Sequence, residues 1–215
     1  MRNWDLKKAR FGRADDRKDE SSKKDERKGS RRRTTACVEL SSRYEYRRAF
    51  SEMRLLDVCD FDYKDGHSYH FITAGDVDSL SFLKTVLRQQ SLDYLLFSTW
   101  RMAAEDILQL EYWINEGKIK RMDAYLGEIF PNSYKIEYCM LRDLFNRTGC
   151  GRIAVFKNHS KIYAGYGDKF HFAIESSANI NTNPRTENGC ITIDKGLYQF
   201  YRDYFDGIES FENDA

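Results

Sequence analysis

The sequence predicts an α/β protein, an α/β/α sandwich around a mixed, mostly parallel sheet. Three observations predict it. From residue 68 onward, short apolar runs alternate with segments whose apolar residues recur at helical spacing. Right-handed crossovers turn that order into a largely parallel sheet covered on both faces. Two strand-like runs then flank Tyr166-Gly167-Asp168-Lys169, which has the glycine and aspartate chemistry of a hairpin turn. Finally, 215 residues with 41% hydrophobic content suffice for one domain with a sizeable core.

Taken in order, residues 1–35 read as a disordered charged tail. They carry 14 Lys or Arg against 7 Asp or Glu, and residues 17–28 offer almost nothing apolar to bury, whereas Trp4 and Phe11 could anchor the tip on a partner. The remaining 180 residues carry 21 of the 35 cations and 27 of the 34 acids, so a nearly neutral chain divides into a basic tail and an acidic body. The tail suits either phosphate tethering or solubilisation. Residues 36–67 read as an N-terminal extension packing on the domain, with Ser42 capping a helix through Tyr44, Phe50, Met53 and Leu56. Residues 60–66 read as a turn. A strand follows at 68–74. Leu80, Leu83, Val86 and Leu87 then define a helix over 77–90, and 93–99 is a buried strand. A helix with a broad apolar face spans 103–116 and stops at Gly117. Residues 118–126 form a third strand. Ser133 is placed to cap a helix over 134–146 that ends near Gly149. Strands follow at 153–156, 161–165 and 170–174.

Five cysteines, an odd number without CxxC spacing, indicate neither a disulfide framework nor a zinc site. Without an apolar leader or a run of about 18 apolar residues, the expectation is a cytoplasmic protein with no membrane association.

The chemistry concentrates between Arg152 and Asp194. His159 and Lys161 stand two apart, as do Ser177 and Asn179, and partners at i and i+2 on a strand share a face. Such a set suits a phosphodiester. Imidazole attacks phosphorus in its neutral form. An ammonium neutralises a phosphate oxygen, while Asn and Ser donors hold the others as charge develops. A carboxylate such as Glu187 can hydrogen-bond the second imidazole nitrogen and fix its tautomer. None of this requires a metal or another cofactor. Ser98, Thr99, Trp100 and Arg101 close a strand, where open α/β sheets bind ligands, and are candidates for lining the site together with Ser176. For Trp100 the alternative is a place in the core. His67 and His70 are three apart and face opposite ways on a strand, which argues against a metal pair. His171 reads as structural or surface-exposed.

His159-x-Lys161, then Ser176-Ser177-x-Asn179, then Glu187, resembles the HxK…GSxN…E signature of the phospholipase D-like, or HKD, superfamily. Two positions depart from it. Tyr166 stands where the family usually has Asp, with Asp168 two residues on, and Ser176 replaces the Gly. The resemblance covers roughly residues 68–207 and implies a phospholipase D-like domain over 68–215. It also implies that His159 is the nucleophile that forms a phosphohistidine, or else the acid. Lys161 and Asn179 would be phosphate ligands, with Ser177 and Glu187 in support. Only one HxK occurs. In the family's single-motif, nuclease-like branch, a homodimer brings two copies of the motif together. With no lipid-binding feature in the chain, the expectation is a metal-independent nuclease acting on nucleic acid, DNA rather than RNA. The competing expectation is a catalytically silent nucleic-acid-binding or assembly protein.

Overall fold

The computed structural model describes residues 43–49, 55, 62–73, 77–180 and 185–211; the charged tail of residues 1–35 lies outside them. Among the described residues of the compact unit Cys37–Ala215, eight strands form one sheet. They are β1 (Arg43–Ala49), β2 (His67–Thr73), β3 (Leu92–Thr99), β4 (Met122–Gly127), β5 (Ile153–Phe156), β6 (Ile162–Gly167), β7 (His171–Ser176) and β8 (Glu187–Ile193). Their order across the sheet is β1-β2-β8-β7-β6-β3-β4-β5. The β1–β2, β3–β4 and β4–β5 pairs are parallel; β2–β8, β3–β6, β6–β7 and β7–β8 are antiparallel. Only β6 and β8 therefore run against the rest, and the sheet is mixed but mostly parallel in direction.

Strand alternation sorts the side chains into two cores. Leu95 and Phe97 of β3 join Met122, Ala124, Leu126, Val155, Tyr163, Phe172 and Ile174 on one face. Three helices cover that face: α1 (Ser79–Leu87), α2 (Ala104–Asn115) and α4 (Lys135–Thr148), the last preceded by the single turn α3 (Phe130–Ser133). Tyr94 and Leu96 of β3 point the other way, with Tyr125, Ala154, Phe156, Ala164 and Ala173, under α5 (Lys195–Asp206). The result is three layers. The near-continuous apolar run of β3 reflects burial on both faces.

Local chemistry sets the helix ends. Asp78 Oδ1 accepts from Ser81 N (2.7 Å) at the start of α1, and Asp194 Oδ1 accepts from Leu197 N (2.7 Å) at the start of α5. Gly117 and Gly149, at φ of 68° and 60°, close α2 and α4 in the left-handed conformation that favours glycine.

Several expectations need correction. The segment after Ser42 is not a helix where it is described: Arg43–Ala49 is a strand pairing in parallel with β2. Its Tyr44-x-Tyr46 alternation has the period of two that this requires. The third strand begins at Met122 rather than 118, because residues 118–121 hold only a bridge between Ile119 and Leu92. Ser133 does not cap α4. It ends α3, and Tyr134 occupies the cap position without a side-chain bond. In the sheet, β8, β7 and β6 lie between β2 and β3, an order about which the sequence pattern makes no statement.

Candidate functional site

The strands β3, β4, β5 and β7 end, and β6 and β8 begin, at one edge of the sheet, so their loops gather there. The stretch 157–161 joins β5 to β6. His159 and Lys161 lie in this loop, not on a strand, so strand alternation is not what brings them together. Asn158 organises the loop from within. Its buried Nδ2 donates to Ser98 Oγ and to Tyr125 O (both 3.0 Å). Its Oδ1 accepts from Ser160 N (3.0 Å) and Ser160 Oγ (2.7 Å), a local turn that lifts His159 outward. Ser98 Oγ also donates to Ser160 O (3.1 Å). Asn158 and Ser98 thus place the histidine, a role that sequence reasoning missed.

His159 is exposed, whereas Lys161 is 8% exposed. Lys161 folds back, its Nζ reaching His159 O at 2.7 Å and His159 Nδ1 at 2.9 Å. With Lys161 as an ammonium, which only donates, Nδ1 is the acceptor of the second bond. Burial lowers the Lys161 pKa and Arg101 pushes it the same way, against the opposing charge of Glu187. Those influences put Arg101, Lys161 and Glu187 in one electrostatic neighbourhood.

The next loop leaves β7. Ser176 N donates to Lys161 O (3.1 Å), which ties the two loops together. Ser176 Oγ donates to Asn188 O (3.1 Å) and accepts from Ala178 N (3.0 Å), so this serine braces the backbone. Ser177 Oγ donates to the Glu187 carboxylate and accepts from Asn188 N (3.0 Å). The Glu187 carboxylate is therefore engaged by Ser177, and no hydrogen bond joins it to the His159 ring. The expected carboxylate–imidazole contact is replaced by the Lys161–imidazole contact.

The end of β3 contributes a third stretch. Trp100 lies against His159, with ring centroids 5.1 Å apart, and is half-buried. Its seat is Gly127, where a Cβ would come within 2.6 Å of the indole Cδ1 and 2.9 Å of Asn158 O. Thr99 is fully buried and donates to Arg101 O (2.9 Å), so it shapes the turn instead of facing a substrate. A parallel bridge between Met102 and Ile180 sets Arg101 beside Asn179. The structure thus brings together His159, Lys161, Arg101, Trp100, Ser176, Ser177, Asn179 and Glu187.

All four histidines of the chain are described, and only one is in this site. His171 starts β7 while Ser176 ends it, a separation of about 16 Å at strand rise. His70 Nε2 lies 3.6 Å from Cys190 Sγ, and His70 is three residues from Thr73, the partner of Glu187. His67 stacks on Tyr69 at the far end of β2. Among the described residues no group of three or more His, Cys, Asp or Glu is arranged to hold a metal ion, and no helix is long and apolar enough to cross a membrane.

Fold and site together define an α/β protein with one polar, loop-built site at the carboxyl edge of its sheet. No family model matches the chain, and no curated protein matches it. Among solved structures it is similar to the phosphatidylserine synthase of Haemophilus influenzae Rd KW20, with a TM-score of 0.47 and 12% identity over 65% of this chain and 37% of that one. It is also similar to the polyphosphate kinase of Porphyromonas gingivalis, with a TM-score of 0.49 and 14% identity over 67% of this chain and 27% of that one. The chain spans well under half the length of either protein. Superpositions of this extent leave the reading of the site to its own geometry.

Proposed function

We propose that the protein is a phospholipase D-like phosphodiesterase, a nuclease of the single-motif type, whose site is completed by a second copy of the chain. The observation that carries this reading is the meeting of the His159 imidazole with the buried Lys161 Nζ, tied through Ser176 N to the loop that holds the Ser177–Glu187 pair, in a site with no second histidine. An in-line displacement at phosphorus needs a nucleophile on one side and a proton donor behind the leaving oxygen. One imidazole cannot stand in both places. A two-fold dimer supplies the second His159, together with its Lys161 and Asn179.

In the first step, His159 of one copy forms a nitrogen–phosphorus bond as the phosphorus–oxygen bond to the leaving group breaks. The protonated His159 of the other copy gives its proton to the departing alkoxide. In the second step that imidazole, now neutral, takes a proton from water. The resulting hydroxide displaces the first histidine from phosphorus. Lys161 leaves the His159 ring for a non-bridging phosphate oxygen as substrate arrives; the ring proton then sits on Nδ1, which donates it to Glu187, and the unprotonated Nε2 attacks phosphorus. In this reading the Asn179 amide nitrogen donates to the same group.

Because the chain's own groups supply nucleophile, acid and charge neutralisation, cleavage of a nucleic acid or a generic phosphodiester should persist in excess EDTA. Complete loss of activity in EDTA, restored by Mg²⁺, would contradict this mechanism. A folded dimer that binds nucleic acid but cleaves nothing, with or without metal, would support a silent binding protein instead.

A further inference from the structure

Two buried polar atoms in the site have no hydrogen-bond partner among the described residues: Arg101 Nε and Asn179 Oδ1. The first can only donate and the second can only accept. The Met102–Ile180 bridge sets their residues side by side on neighbouring stretches of chain. Buried polar groups are nearly always paired, so a donor and an acceptor left open on neighbouring stretches of chain call for a ligand group that serves both. A phosphate oxygen accepts from Arg101 but has nothing to donate to Asn179. A hydroxyl does both: its oxygen accepts from Nε–H while its proton goes to Oδ1.

We propose that Arg101 and Asn179 form a subsite for a hydroxyl adjoining the scissile phosphodiester, and that this subsite selects ribose, so the substrate is RNA rather than DNA. The inference rests on the nuclease reading above and names its substrate class. The 2′-hydroxyl distinguishes the two polymers and is both donor and acceptor. Deoxyribose would leave both buried atoms unpaired. Sites built to hydrogen-bond a substrate hydroxyl reject the analogue lacking it strongly, because the site's own groups then pay the desolvation cost. This choice departs from the expectation of DNA, which rested on no atom of the site.

The test uses the full chain with RNA and DNA oligonucleotides of one sequence, a 2′-O-methyl RNA that accepts but cannot donate, and phosphatidylglycerol vesicles. The vesicles matter because a glycerol hydroxyl beside a lipid phosphodiester offers the same chemistry. The expected result is a kcat/KM for RNA at least about 100-fold above that for DNA, with the 2′-O-methyl strand nearer DNA. Asn179→Ala should bring RNA and DNA to within about threefold of each other, as removal of a hydroxyl-reading acceptor requires. Cleavage of RNA and DNA at equal rates by the unaltered protein would overturn the subsite while leaving the nuclease reading intact. Cleavage of the vesicle lipid with neither oligonucleotide cut would overturn both.

Discussion

Replacing His159 with Ala is expected to lower turnover by at least about 10⁴-fold, the scale seen when a nucleophile is removed from a constellation that acts as a unit. The loss should fall on kcat, because the proposed phosphate ligands Lys161 and Asn179 remain. Folding should be nearly unaffected. The imidazole is exposed, and what it gives up is the edge of Trp100 and the bond to Lys161. Exposed substitutions away from buried networks usually change stability by no more than about 0.5 kcal/mol. Urea unfolding and steady-state kinetics on the same preparation separate the two effects. A variant that keeps most of its turnover would remove His159 from the chemistry.

The largest stability effect is expected at Asp123, far from the catalytic loops. Its carboxylate is 2% exposed at the start of β4. Tyr94 Oη donates to Oδ2 (2.8 Å) and Arg152 N donates to Oδ1 (2.9 Å), with the Arg121 guanidinium 3.9 Å away. Burial and this carboxylate raise the Tyr94 pKa. The Arg202 guanidinium lies over the Tyr94 ring at 5.2 Å. Asp123→Ala would therefore strand a buried hydroxyl and a backbone N–H and leave Arg121 without its anion. A cost of about 3 kcal/mol follows, near the lower end for breaking one side of a buried charged network. Asp123→Asn keeps one acceptor and should cost less. The urea midpoint measures both, and an unchanged midpoint for Asp123→Ala would show that the network contributes nothing.

What could be read from the sequence was what local pattern fixes. The apolar runs at 92–99 and 153–156, the helices around 79–87 and 104–115, and the glycine stops at 117 and 149 all follow from neighbours within one turn or one strand. Residues 187–193 and 195–206 were not assigned to elements, although Asp194 three residues before Leu197 is a readable helix start. Strand order was out of reach. Antiparallel β8 separates β2 from β7, a pairing between residues more than a hundred apart that no local period encodes. The site was legible in membership more than in mechanism of assembly. Lys161 meets His159, Ser177 meets Glu187, and Ser176 ties the two loops together. Yet the gathering depends on Asn158 bonding to Ser98, 60 positions earlier, and on Lys161 turning back to its neighbour's carbonyl. Thr99 failed as a lining residue because its side chain faces inward at the end of a doubly buried strand. Arg101 acquired its place through a bridge at Met102 that only the folded chain reveals.

The shared site is the central claim, and subunit mixing tests it most directly. A fixed amount of wild-type chain is reassembled with increasing His159→Ala chain, the two carrying different tags so that heterodimers can be isolated. If one site needs both histidines, every heterodimer is inactive. An equal amount of variant then halves the activity of the wild-type chains, and a ninefold excess reduces it to about a tenth by random pairing. Isolated heterodimers with half the wild-type activity, or a total activity that ignores the added variant, would contradict the account and put the whole site within one chain.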